Sequence, residues 1–201
     1  MAPRPDVSAE RRAQIIEAAL ACFMRKGYTN TTMDDIVAEC GLSKGTLYWY
    51  FNSKDDLFTA ALRSVFQAFG EDALLEVAQH ETVTEQLRAG ARLMVDLCRT
   101  GEGLFGLFVE FWSQSDRREE AGQYWADMLM QYAGMIATIA EEGVHSGEFK
   151  PVDAEALAWA IMAAYDGLAV YIMLKPDLDP DRVSDAFIET LLSGLVAKTN
   201  T

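Results

Sequence analysis

Between Gly41 and Phe51 the chain reads GLSKGTLYWYF, with Tyr48, Trp49, Tyr50 and Phe51 in adjacent positions. Successive side chains on a helix point about 100° apart, so four consecutive aromatic residues cannot all enter one core. Leu47 and Phe51, spaced i and i+4, share one face. Trp49 then points almost directly away from it, with Gly45 and Thr46 beside it, and Tyr48 and Tyr50 lie on opposite flanks. The segment therefore requires a short helix anchored on one side and presented on the other. Glycine inside a helix is about 1 kcal/mol less favourable than alanine, so an outward Gly45 marks a place where something approaches the backbone closely.

The preceding residues supply the partner of this short helix. Thr32-Met-Asp-Asp35 has the spacing of a capping box, with Asp in place of the usual Glu, and predicts a helix ending at Gly41. Ser43 caps the next helix, to about Tyr50. With small Ala38 allowing close approach and Leu42 in the angle, Thr32 to Phe51 reads as a helix-turn-helix. Upstream, Ile15, Ile16, Ala19, Leu20 and Phe23 fall on one face of a helix running from a Ser8 cap to Lys26, with Gly27 as its stop. Ser53-Lys-Asp-Asp56 opens a long fourth helix through about Gln79.

Further helices are expected at about 82–99, 103–115, 117–146, 153–175 and 180–197, with Pro180 in the first position after an Asp179 cap. No alternating strand pattern persists. The expected fold is all-α: an N-terminal three-helix helix-turn-helix head, residues 1–53, and a C-terminal helical domain, residues 54–201. The fourth helix, about 54–79, is the connector.

Charge is divided unevenly between these parts. The chain has 17 basic and 31 acidic side chains, a net charge of −14. Residues 1–52 contain six of each, so the whole excess lies beyond them. An acidic body repels a polyanion and a neutral head does not, so any contact with DNA belongs to a few groups in the head. Cys22, Cys40 and Cys98 are far apart within apolar helical patterns, without metal spacing, and read as reduced packing residues. No metal or cofactor is expected. No apolar run reaches the roughly 18 residues needed to span a bilayer and no apolar leader follows the N-terminal charges, so a cytoplasmic protein with no membrane partner is expected.

On the outer face, Thr46 can hydrogen-bond a base edge or touch a thymine methyl, while Lys44, Lys54 and the tyrosine hydroxyls can reach phosphates. The run Gly27-Tyr-x-x-Thr-Thr-x-Asp-Asp-Ile-Val-x-x-Cys-Gly-Leu-Ser-Lys-Gly-Thr-Leu-Tyr-Trp-Tyr-Phe-x-Ser-Lys-Asp-Asp-Leu57 resembles the DNA-binding head of the TetR/AcrR family of bacterial transcriptional regulators, over about residues 8–60. The resemblance implies a homodimer whose third helices enter successive major grooves of a palindromic operator. It also implies that Thr32, Ser43, Lys44, Gly45, Thr46, Tyr48, Trp49, Tyr50 and Lys54 contact bases or phosphates. Trp49 stands where tyrosine is the more usual choice.

The body is rich in aromatic and methionine residues. Individually these are more often core than ligand box. Such bodies in the resembled family enclose an apolar pocket, and here Phe108, Phe111, Trp112, Trp125, Met128, Tyr132, Met162, Tyr165 and Asp166 are the candidates to line one for a small lipophilic or aromatic effector. Asp166 and Glu110 sit among apolar neighbours. Each is either a counter-charge for a cationic effector or a polar contact to a helix end or a dimer partner. Two apolar faces, one of Leu157, Ile161, Tyr165, Leu168 and Ile172 and one of Val183, Phe187, Leu191 and Leu195, call for a partner. In the resembled family two such helices from each subunit form a dimer bundle, which implies dimerisation at about 153–197, and a final hairpin packed on its own subunit is the alternative.

The functional expectation is a ligand-responsive transcriptional regulator, a repressor released from its operator by the effector. An activator is the alternative in direction. A ligand- or protein-binding helical dimer without DNA binding is the alternative in kind, and the intact Ser43-Lys-Gly-Thr-Leu-Tyr counts against it. An enzyme has little to stand on: only His80 and His145 are present, in no metal or triad pattern, with no nucleophile elbow or phosphate loop.

Overall fold

The computed structural model describes residues 7–100, 106–107, 109–111, 113 and 118–197. Regular secondary structure among the described residues is helical, with an isolated antiparallel bridge between Phe149 and Val196. The helices are α1 (Val7–Asn30), α2 (Met33–Cys40), α3 (Lys44–Tyr50), α4 (Lys54–Val77), α5 (Val83–Thr100), α6 (Arg118–Ser146), α7 (Ala154–Leu174) and α8 (Pro180–Leu195). Residues 106–107, 109–111 and 113 are also helical; the remainder of the expected 103–115 helix lies outside the described residues.

Two compact units emerge, Met1–Phe69 with Gly103–Gly122, and Gly70–Glu102 with Gln123–Thr201. They divide the chain within α4 rather than before it, and they group the 103–122 segment with the N-terminal helices.

In the first unit α1 does not run unbroken. Gly27 takes φ 79 and ψ 166, a conformation essentially restricted to glycine, so the helix proper stops where the sequence expected. Its start differs: the helix includes Val7, which puts Ser8 inside the first turn rather than at the cap. Thr32 and Asp35 form a complete capping box at the start of α2, and Gly41 closes it in the left-handed conformation at φ 68. Ser43 caps α3 by accepting the Thr46 N–H at 3.1 Å, and Ser53 does the same for Asp56 at the start of α4. Ile15, Ala19, Phe23, Ile36, Leu47, Phe51, Leu57 and Phe58 make one core, joined by Leu107 and Phe111.

In the second unit, α5 packs Leu87, Ala91, Val95 and Cys98 with Leu157, Ile161, Tyr165 and Leu168 of α7 and with Ile188 and Leu192 of α8. Glu148 accepts the N–H groups of Val83 and Thr84 at 3.0 and 2.8 Å, satisfying the first turn of α5. The carboxylates of Asp153 and Asp179 cap α7 and α8, and Pro180 occupies the first turn of α8 as expected.

One expectation about this unit needs correction. Leu157, Ile161, Tyr165, Leu168 and Ile172 are not surplus apolar surface but core of a single protomer. The apolar surface left over on α7 is instead Trp159, Tyr171, Met173 and Leu174, the last 76% exposed. By length and composition alone α7 is apolar and long enough to cross a membrane. Eight of its residues are buried within the protomer, and Asp166 interrupts the apolar sequence near mid-helix.

Candidate DNA-binding face and effector residues

The outer face of α3 is built as its periodicity demanded. Leu47 and Phe51 are buried at 0% and 4% exposure, while Trp49 is 73% exposed and Tyr48 44%. Tyr50, half-buried, meets the Trp49 ring edge-on at 4.6 Å, and its hydroxyl lies 3.5 Å from Ser8 Oγ. A Cβ built on Gly45 would meet only Ser43 Oγ, at 3.8 Å, so within the protomer nothing crowds that position. Ser43, Lys44, Gly45, Thr46, Tyr48 and Trp49 thus share one accessible edge of the head.

Several polar groups on this edge already have partners. The hydroxyls of Ser43 and Thr46 are 2.8 Å apart. Lys44 Nζ lies 2.6 Å from Asp34 Oδ1 in an exposed pair that raises the lysine pKa, and such a pair contributes little and can be exchanged for a phosphate. Thr32 is exposed, and its hydroxyl donates to Asp35 Oδ2 at 2.8 Å while accepting the Asp35 N–H. The Lys26 ammonium, followed by the Thr32 hydrogen bonds, lowers the Asp35 pKa to about 2.

Lys54 stands apart from the other DNA candidates. Its ammonium donates to the Tyr28 carbonyl at 2.9 Å and sits 4.3 Å over the Tyr28 ring, and burial lowers its pKa despite Asp55 and Glu110 nearby. In this structure the group holds the end of α1 to the start of α4.

The effector candidates disperse. Phe108 and Trp112 lie outside the described residues. Phe111 belongs to the core of the first unit, stacked on Phe58 at 4.6 Å and edge-on to Tyr28 at 5.1 Å. Tyr165 is also core: it is 2% exposed, and its hydroxyl pairs with Ser184 Oγ at 2.8 Å. Met162 and Tyr132 do come together, with Leu129, Ala133 and Ala158. Burial, reinforced by Tyr124, pushes the Tyr132 hydroxyl up to about 12. Met128 is buried and Trp125 half-buried.

The two acidic candidates separate cleanly. Asp166 is an exposed residue of α7 whose carboxyl nevertheless lies low enough among its neighbours for desolvation to raise its pKa. Glu110 is a polar contact of the helix-end kind, accepting the Tyr28 and Thr29 N–H groups, both at 2.9 Å. Glu148 was not among the candidates; it lies in Ser-Gly-Glu-Phe between two helices, and nothing local there announces a partner 65 positions away.

A three-helix head with a capped, outward-facing third helix, in a chain whose other described elements are helical, defines the class of helix-turn-helix DNA-binding regulators. The chain belongs to the TetR family of bacterial regulatory proteins. Residues 15–61 match the family's N-terminal model and residues 83–197 match the C-terminal model of BetI-type transcriptional repressors. The chain is 31% identical to the transcriptional regulator TtgR of Pseudomonas putida over 84% of its own length and 82% of that protein's. It is 31% identical to the regulator YfiR of Bacillus subtilis, over 71% and 70% respectively. A regulator from Saccharomonospora viridis, solved in complex with choline, shares the fold at a TM-score of 0.80 and 23% identity, over 94% of this chain and all of that one. FadR of Bacillus subtilis, solved with stearoyl-CoA, superposes at 0.71 with 25% identity, over 90% and 98%.

Proposed function

We propose that this transcriptional regulator represses from a palindromic operator, which it binds as a homodimer in the cytoplasm, and that a small lipophilic or aromatic molecule bearing a positive charge releases it. The observation that carries the DNA-reading part is the division of α3, with Leu47 and Phe51 buried while Lys44, Gly45, Tyr48 and Trp49 face outward. Thr46 and Trp49 read base edges. Ser43, Lys44, Tyr48, Tyr50 and Thr32 meet the backbone, and Gly45 lets it come close. Lys54 serves by fixing α4 to the end of α1.

The exposed Trp159, Tyr171, Met173 and Leu174 of α7 supply the apolar surface for a second copy. For the effector, Tyr132 and Met162 supply the apolar contact, with Trp125 and Met128 in the same helix as Tyr132. Asp166, one turn from Met162, supplies the counter-charge. Release is a population shift: the effector favours dimers whose third helices no longer match successive grooves, and α4, shared by both units, carries the bias.

The test is to titrate the operator complex with a lipophilic quaternary ammonium and with a neutral analogue of the same shape. The cation is expected to release DNA at about tenfold lower concentration, equivalent to about 1.4 kcal/mol, and Asp166→Asn to abolish the difference. Equal potency of the two compounds on the unmodified protein ends the counter-charge reading.

A further inference from the structure

Glu110 is the carboxylate that DNA reading and effector binding leave unused, and its surroundings give it work. The break in α1 at Gly27 frees two consecutive amides. Glu110 takes both, Oε2 from Tyr28 N–H and Oε1 from Thr29 N–H, each at 2.9 Å. Partial burial works to raise the Glu110 pKa, but the hydrogen bonds from Thr29 and Tyr28 and the nearby Lys54 outweigh it and hold it below the usual glutamate range. The acceptor therefore stays charged at neutral pH. A Cβ at Gly27 would lie 3.0 Å from Oε2, so the glycine both makes the break and leaves room for the carboxylate.

The same short turn is gripped from a second side and leads straight into the helix-turn-helix. Lys54 Nζ donates to the Tyr28 carbonyl at 2.9 Å, and the Tyr28 hydroxyl donates to Asp55. Phe111, next to Glu110, packs on Tyr28 and Phe58. Two residues on, the buried Thr31 hydroxyl donates to the Gly27 carbonyl at 2.7 Å, and Thr32 is the cap of α2. The backbone that Glu110 orders is thus the backbone that sets where α2 begins. Because α3 follows α2 through the tight Gly41 turn, it also sets the direction in which α3 is aimed.

We propose that Glu110 is a positioning residue for operator binding: without touching DNA, it fixes the Tyr28–Thr32 turn and through it the aim of α3. The core of the head does not depend on it, since Phe23, Ile36, Leu47, Leu57 and Phe58 are buried against one another. The carboxylate is needed because it offers an acceptor to each amide; the isosteric amide of glutamine turns a donor toward one of them.

Full-length wild type and Glu110→Gln are compared by fluorescence anisotropy, on operator and on a random duplex of equal length, at a temperature where circular dichroism shows both fully folded. Glu110→Gln is expected to lose about tenfold in operator affinity while random-duplex affinity stays within twofold. Tyr28 and Thr29 amide hydrogens should exchange faster. A merely structural role lowers the melting temperature and leaves the specificity ratio of the folded protein unchanged. Should the glutamine variant not fold, Glu110→Asp, whose shorter carboxylate cannot span both amides, is expected to lower the same ratio at least threefold. Operator affinity within twofold of wild type in a folded variant, or a loss shared equally by random DNA, overturns the proposal.

Discussion

Removing either hydroxyl of the Tyr165–Ser184 pair should destabilise the protein, and removing both should cost no more than removing one. The oxygens are 2.8 Å apart, and the residues are only 2% and 4% exposed, so neither hydroxyl can turn to water once its partner is gone. Burial raises the Tyr165 pKa by more than the Ser184 hydrogen bond lowers it, so the phenol stays neutral. A buried hydroxyl left alone costs about 1–3 kcal/mol, whereas deleting both partners can be nearly neutral. Tyr165→Phe keeps the edge-on contact with Phe187 at 6.0 Å and the backbone carbonyl that accepts the Cys98 thiol. Each single variant should therefore lose about 1–2 kcal/mol and the double variant about the same, so the coupling energy is also about 1–2 kcal/mol in magnitude. For a chain of this size each kcal/mol moves the melting temperature by about 2–4 °C. The assay is a set of thermal or urea melts at one fixed protomer concentration, because association shifts apparent stability. Additive single losses would refute the shared bond and return Tyr165 to the candidate effector rings.

Two further outcomes follow from the geometry. Gly143→Ala should destabilise by about 1–3 kcal/mol, because its Cβ would collide with the buried Phe149 ring, whereas Gly134→Ala in the same helix meets open space and should be neutral or stabilising in the same melts. The Asp35 carboxyl is depressed to about 2 in the folded state by Lys26 and Thr32, against about 3.9 unfolded. Its contribution is complete above the unfolded value and lost as pH falls through about 2. Denaturant midpoints of wild type and Asp35→Asn should accordingly differ at pH 6 and converge toward pH 2.

The head was legible because its determinants are local. Capping residues at Thr32 and Ser43, a left-handed glycine at Gly41 and an i, i+4 apolar pair at Leu47 and Phe51 each act within a turn or two of themselves. The body was legible as helices but not as a site. Aromatic stripes look alike whether they fill a core or line a pocket, and only packing shows that Phe111 joins Tyr28 and Phe58 while Tyr165 joins Ser184. The same limit explains Leu157 and Ile161, whose face the sequence offered to a second subunit and α5 covers instead. Glu110 was legible as a polar contact to a helix end but not which end, and Glu148 not at all: a bond spanning 82 or 65 positions leaves no mark on local spacing. Lys54 shows the same limit from the other side: its position near the reading helix is local, while its contacts with the Tyr28 carbonyl and ring appear only in the packed structure.

Operator reading by α3 is the central claim, and it is tested most directly by titrating the duplex upstream of the regulator's own gene with wild type, Lys44→Ala and Thr46→Ala across a range of salt. Lys44→Ala is expected to weaken binding to every sequence and to lower the salt slope by about one for each protomer on the DNA, and Thr46→Ala to change sequence preference with the slope retained. Operator affinity, slope and preference unchanged in both variants would contradict the account.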